Sequence, residues 1–179
     1  MMKDFFLIAM TPAALILGAL VGSWRLRLDP RDGLGLRLPT LRHALIFGGA
    51  FIVLLGIHEW LYQLWNLDEQ SSDWRGKYSP GALALRIAFV GLIYPFAEEL
   101  FFRGFLFGLV RRKFGAAAAI IGPAILFALF HGQYELVGLL LVLMDGLFFG
   151  IARWRSGSLL LPIAFHVTGN MIAVAQRLS

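Results

Sequence analysis

Apolar runs of about 17 to 25 residues, nearly free of charge, recur along this chain, and a run of that length crosses a hydrocarbon core as a helix. The first covers Phe5 to Gly22 and the second Leu41 to Trp65. The third begins near Gly81 and continues, interrupted by charge, to Val110. A fourth covers Ala116 to His131, a fifth Leu136 to Ile151, and a sixth Leu159 to Ala175. Only 15% of the 179 residues are charged and 59% are hydrophobic, whereas a soluble domain averages about 25% charged. That is too little charge to cover a water-facing surface, which excludes a soluble enzyme, a disordered tail and a nucleic-acid-binding module together. The absence of cysteine removes disulfides, zinc–thiolate sites and thiol nucleophiles. The expectation is an all-α polytopic bundle of about six membrane helices, with residues 1–179 forming one membrane-embedded domain in the lipid bilayer.

The net charge of +5 reads as topology rather than as affinity for nucleic acid. Arg25, Arg27, Arg31, Arg37, Arg42, Arg111, Arg112, Lys113, Arg153 and Arg155 fall at one set of helix ends. The opposite ends carry Lys3, Arg75, Lys77 and Arg177, diluted by Asp68, Glu69 and Asp73. With the basic side cytoplasmic, both termini face outward. The first run has one preceding basic residue and no small-x-small site before Trp24, so it reads as a retained helix rather than a signal peptide. The stretch from Trp24 to Thr40 mixes Arg, Leu, Gly and two prolines, as a loop or amphipathic turn along the inner interface would.

An ionisable residue inside an apolar helix is a functional candidate, because hydrocarbon penalises charge. The candidates are Glu98, Glu99, Arg103, His131, Asp145 and His166; Arg86 lies near a helix end and can snorkel. Glu99 and Arg103 are four apart, share a face and can neutralise each other. Glu98 is rotated by about 100° and has no partner in its own helix, so it needs a hydrogen-bonding partner from another helix or a raised pKa. Pro95 cannot donate to the carbonyl of Gly91 and is expected to kink the helix. His166 and Asn170, also four apart, project from one face of the sixth run. Counted from the basic helix ends at roughly 1.5 Å per residue, Glu98, His131, His166 and Asn170 lie about 20, 27, 16 and 22 Å deep. They can therefore converge near mid-membrane. Asp145 fits a structural hydrogen bond better than catalysis. The small-xxx-small pairs Gly18/Gly22, Gly104/Gly108 and Gly146/Gly150 are expected to build the bundle rather than a dimer.

Peptide hydrolysis needs a base for water, donors for the developing oxyanion and a proton for the leaving amine. A carboxylate beside an imidazole can supply the base, and an imidazole and a carboxamide can supply the donors. A metal alternative uses Glu98, His131 and His166 as three ligands of a divalent ion such as zinc, with an open position for water. The residue pattern admits both, and no cofactor is assigned.

Glu98-Glu99-Leu-Phe-Phe-Arg103, Phe127-Ala-Leu-Phe-His131 and His166-Val-Thr-Gly-Asn170 together resemble the EExxxR, FxxxH and HxxxN motifs of the CAAX-protease and bacteriocin-processing (CPBP, or Abi) family of intramembrane endopeptidases. Leu34-Gly-Leu-Arg37 and the run from Arg155 to His166 are similar to family segments as well. The resemblance spans residues 85 to 175, the expected catalytic core. It implies that Glu98 and His131 hold and activate water, that His166 and Asn170 stabilise the oxyanion or complete the polar site, and that Glu99 and Arg103 support the first motif.

Other intramembrane protease chemistries fit poorly. The serines (Ser23, Ser71, Ser72, Ser79, Ser156, Ser158, Ser179) lie at helix ends, in loops or at the C-terminus; only one aspartate is intramembrane; and Tyr62 stands where an HExxH begun at His58-Glu59 needs its second histidine. A proton-coupled transporter lacks an evident repeat. A non-catalytic immunity or scaffolding factor of the same fold is the remaining alternative, and the intact motifs favour the enzyme. The expected substrate is a membrane-anchored or exported polypeptide, and the expected location a prokaryotic inner (plasma) membrane.

Overall fold

A computed structural model describes the backbone of residues 2–65 and 74–178, and the side chains from residue 9 onward. Asp68, Glu69, Asp73, Ser71, Ser72 and Ser179, and the side chain of Lys3, lie outside the described residues. The described chain is helical, with no strand. Helix α1 is Met2–Arg25 and α2 is Leu41–Leu64. A continuous helical path, Pro80–Leu129, comprises α3 (Pro80–Ala88), a wide π turn (Phe89–Ile93), α4 (Tyr94–Glu99), a second π turn (Leu100–Leu106) and α5 (Phe107–Leu129). Helices α6 (Leu136–Ser156) and α7 (Leu160–Gln176) complete the bundle.

Local chemistry accounts for the boundaries. Thr40 accepts the N–H of His43 and Ser79 that of Ala82, each at a helix N-cap, and Pro80 occupies the first turn of α3, where a missing N–H costs nothing. Gly157, at φ 67°, adopts the left-handed conformation that closes α6. Gly115, at φ 83° and ψ −177°, breaks α5 just after the Arg111-Arg112-Lys113 cluster. Six helical lengths thus succeed one another in the described chain, with ends close to those expected from hydropathy.

Among the described residues, α2, the Pro80–Leu129 path and α6 are long and apolar enough to cross a membrane, and α7 is a shorter apolar helix. For α2 the surface is decisive. Its mean hydropathy is 1.8, yet only 11% of its apolar window is buried in the protein. Leu45, Ile46, Ile52 and Val53 point outward, as a lipid-facing helix requires. The protein is a helical membrane bundle.

Packing puts α4 and its flanking turns at the centre, in contact with α1, α6 and α7. One apolar cluster joins Phe51 and Leu54 of α2, Phe149 and Ala152 of α6, and Leu161 and Phe165 of α7. A second joins Ala19 of α1, Leu100 of the second π turn and Leu159. The small-residue pairs serve these internal contacts. A side chain at Gly22 would strike the Phe105 ring, one at Gly108 the Gly33 carbonyl, and one at Gly150 would crowd Ile120. The two family-like segments meet as well: Leu159 donates its N–H to Gly35 O (2.8 Å), Arg37 Nε donates to Gly157 O (3.0 Å), and Ser158 Oγ donates to Arg37 O (2.5 Å). The segment after α1 is thereby pinned beneath the α6–α7 connection.

Candidate active site

The π turn before Pro95 solves a backbone problem. Proline has no N–H and its ring crowds the preceding turn. Here the N–H of Tyr94 reaches back five residues to Phe89 O, widening the helix ahead of the proline. The carbonyl of Val90 then loses both helical donors, because Tyr94 bonds elsewhere and Pro95 has none to give. Asn170 of α7 supplies the missing donor, with Nδ2 2.8 Å from Val90 O. The kink expected at Pro95 is therefore a widened turn, held open from a neighbouring helix.

Beyond that turn the carboxylates face inward. Glu99 is fully buried; its Oε1 accepts from Arg103 Nη1 at 2.9 Å, across the one-turn spacing that the sequence suggests. Arg103 is 1% exposed. Its Nη2 donates to Gly146 O of α6 (3.2 Å), and its guanidinium lies 4.3 Å from the centroid of the Phe127 ring. Gly146 permits this approach, since a side chain there would come within 3.2 Å of Arg103 Nη2.

His166 joins the two glutamates. Its Nδ1 is 3.0 Å from Glu99 Oε1 and its Nε2 is 3.6 Å from Glu98 Oε2. Ionised Glu99 only accepts, so the ring donates Nδ1–H to it. Arg103 balances Glu99, and a paired charge is penalised less in hydrocarbon than a lone one. Phe149 stacks on the His166 ring at 5.4 Å, and Phe127 meets it edge-on at 5.6 Å. Glu98 makes no hydrogen bond among the described residues, and it is less buried than Glu99.

His131 contacts the same phenylalanine, its ring centroid 4.7 Å from that of Phe127. Its Nδ1 is 2.9 Å from Phe127 O. A carbonyl only accepts, so Nδ1 carries the hydrogen and Nε2 of the neutral ring is the free acceptor. The family resemblance groups Glu98 with His131; the structure sets Glu98 beside His166 and joins His131 to neither by a hydrogen bond. Asn170, expected as an oxyanion donor, spends one of its two N–H groups on Val90.

Among the described residues no group of three His, Cys, Asp or Glu side chains is arranged to hold a metal ion. The candidate ligands Glu98, His131 and His166 do not form one in this conformation.

Two features escaped the sequence reading. Glu99 orients His166 as well as neutralising Arg103, which helical spacing within one element cannot reveal. His58 Nε2 of α2 lies 3.3 Å from Asp145 Oδ1 of α6 without completing a hydrogen bond, a proximity between helices that spacing within α6 does not show. Arg86 stacks over Trp74 and Tyr78 at 5.1 and 4.8 Å.

A helical membrane bundle whose central kinked helix presents two glutamates and an arginine to a histidine of the last helix defines a membrane protein with a buried polar site. Residues 80–172 match the type II CAAX prenyl endopeptidase Rce1-like family. That is just over half of the chain, which belongs to this family of intramembrane CAAX-type proteases. The chain is also 31% identical, over 94 residues, to an uncharacterized 24.3 kDa protein of Escherichia coli. That match covers 50% of this chain and 43% of the relative. No solved structure gives a match.

Proposed function

We propose that the chain is an intramembrane endopeptidase that hydrolyses a peptide bond of a membrane-associated polypeptide, with Glu98 as the base. The carrying observation is the contrast between the two adjacent glutamates. Glu99 is fully buried, with Oε1 taken by both Arg103 and His166, whereas Glu98 keeps 14% of its side chain exposed and touches only His166 Nε2, at 3.6 Å. A base must have an oxygen that water can reach.

In the proposed reaction Glu98 takes a proton from water held with His131 Nε2, and the water oxygen bonds to the scissile carbonyl carbon. His166 and the second Nδ2 hydrogen of Asn170 donate to the oxygen that gains the negative charge. The C–N bond then breaks as the amine nitrogen takes the proton back from Glu98. Glu99 holds the His166 ring through Nδ1, fixing which nitrogen faces the reaction. An apolar groove of about 470 Å³ between α1, the α4 region and α7 includes Phe96 and Val167, close in sequence to Glu98 and His166. It suits a lipid-embedded or lipidated segment of substrate.

Placing the arginine-rich helix ends in the cytoplasm puts both termini outside, with Glu98 about 20 Å from the inner face at 1.5 Å per residue. This orientation favours exported or membrane-anchored polypeptides of a prokaryotic inner membrane as substrates. The test compares wild type with Glu98→Gln and Glu98→Ala in reconstituted vesicles, following cleavage of a candidate substrate. Both variants are expected to lose turnover. Undiminished cleavage by Glu98→Gln would remove the proposed base.

A further inference from the structure

The far end of the bundle holds a second polar site that peptide hydrolysis does not use. Residues after α1 fold back on themselves, with Arg27 at φ 51° and Asp29 Oδ1 accepting the N–H groups of Arg31 and Asp32. Between this segment, α5 and α6 lies a cavity of about 500 Å³, whose lining includes Arg27, Arg111, Arg112, Arg153, Asp29 and Asp32. The two acids do not balance the four cations. Asp29 is engaged by backbone N–H groups, and Asp32 Oδ1 pairs with Arg37 at 3.3 Å.

Arg153 is the informative residue. It is 1% exposed. Nε donates to Arg103 O (3.1 Å) and Nη2 to Gly33 O (3.1 Å), but Nη1 is buried without an acceptor. No carboxylate forms an ion pair with it among the described residues. Carbonyl dipoles do not cancel a full charge, and a buried guanidinium lacking a counter-anion is costly. The cavity beside it, lined by three more arginines, has room for the missing anion. Exposed Trp24, Leu26, Leu36, Leu38 and Phe114 surround this end of the bundle, which sets the cavity at the bilayer interface rather than in bulk water.

We propose that this cavity binds the phosphate of an anionic membrane lipid, with Arg153 as the buried anchor and Arg27, Arg111 and Arg112 around the headgroup. Basic pockets between membrane helices at the inner leaflet suit such headgroups, and guanidinium forks match phosphate oxygens. Arg153 also holds the carbonyl of Arg103, so a bound phosphate would brace the helix that carries the two glutamates.

The test uses the full chain, delipidated in neutral detergent. Its thermal unfolding is followed with phosphatidylglycerol, phosphatidylcholine or inorganic phosphate. Phosphatidylglycerol is expected to raise the midpoint by several degrees over phosphatidylcholine. The Arg27→Gln/Arg111→Gln variant, which removes no hydrogen bond found among the described residues, should match wild type in phosphatidylcholine and lose that rise. Arg155→Gln, outside the cavity, should keep it. No rise in wild type, or the same rise in the double variant, overturns the site. An equal rise with inorganic phosphate overturns the lipid assignment in favour of a soluble anion. Native mass spectrometry of wild type released from mixed vesicles needs no variant: it should retain phosphatidylglycerol in preference to phosphatidylcholine, and retention in proportion to the mixture also overturns the proposal.

Discussion

Adjacent glutamates of opposite duty should separate cleanly under the same substitution. Glu99→Gln keeps the shape and an acceptor for His166 Nδ1 but removes the charge opposite Arg103. That arginine is 1% exposed and would keep neutral partners, among them the Gly146 carbonyl at 3.2 Å, but no ionised one. Breaking a buried ion pair by removing one partner costs about 3–5 kcal/mol. We take about 3, because Glu98 lies close enough to offset part of the stranded charge. For a chain of this size 1 kcal/mol moves the midpoint by about 2–4 °C, so Glu99→Gln should unfold about 6–12 °C below wild type. Glu98→Gln loses the 3.6 Å contact with His166 but also removes a largely buried carboxylate charge, two effects of opposite sign. Its midpoint should fall within a few degrees of wild type, while loss of a general base lowers turnover by about 10²–10⁴-fold. The assay is circular-dichroism melting in detergent, paired with vesicle cleavage for each variant. A Glu99→Gln protein that melts with wild type, or a Glu98→Gln protein that melts far below it, would refute this division of labour.

The packing carries two more expected outcomes. Asn170→Ala strands the part-buried carbonyl of Val90 and should cost about 1 kcal/mol, read as a lower melting midpoint; an unchanged midpoint would mean that Val90 finds another donor. Gly146→Val places a side chain 3.1 Å from Ala124 Cβ and 3.2 Å from Arg103 Nη2, an overpacking cost of about 1–3 kcal/mol. Gly122→Ala, with open space around it, should leave melting unchanged or raise it, and equal losses at both glycines would contradict the packing of α5 on α6.

Hydropathy located the helices because lipid selects for apolar length, and that quantity is local in sequence. The Glu99–Arg103 pair was legible for the same reason: four residues of helix bring the two side chains together without help from any other element. Contacts between elements were not legible. The link from Glu99 to His166 depends on how α4 and α7 are rotated about their axes, and Asn170 meets Val90 only because a π turn has released that carbonyl. Each such turn adds a residue without adding a turn of helix, displacing the side chains downstream by about 100° from a uniform helical count. Asp145 illustrates the limit from the other side. Its spacing named no partner within α6, and the side chain 3.3 Å from it, His58, comes from a helix that begins almost a hundred residues earlier.

The two π turns also explain how so apolar a bundle holds charged groups in register. Each turn diverts an N–H from its usual acceptor. Tyr94 bonds Phe89 rather than Val90, and Phe107 bonds Phe102 and Gly104 rather than Arg103. The bypassed carbonyls are both taken by side chains from other helices: Val90 by Asn170 of α7, and Arg103 by Arg153 of α6. Glu98 and Glu99 lie between these two attachment points. Apolar packing in a membrane resists rotation of a helix only weakly, because lipid chains are as apolar as leucine. A polar clamp on either side of the glutamates resists it strongly, since each broken contact would leave a backbone carbonyl unpaired in hydrocarbon. Asn170 and Arg153 thus hold the helix that holds Glu98, and the position of that carboxylate depends in part on Arg153, which need never touch a substrate.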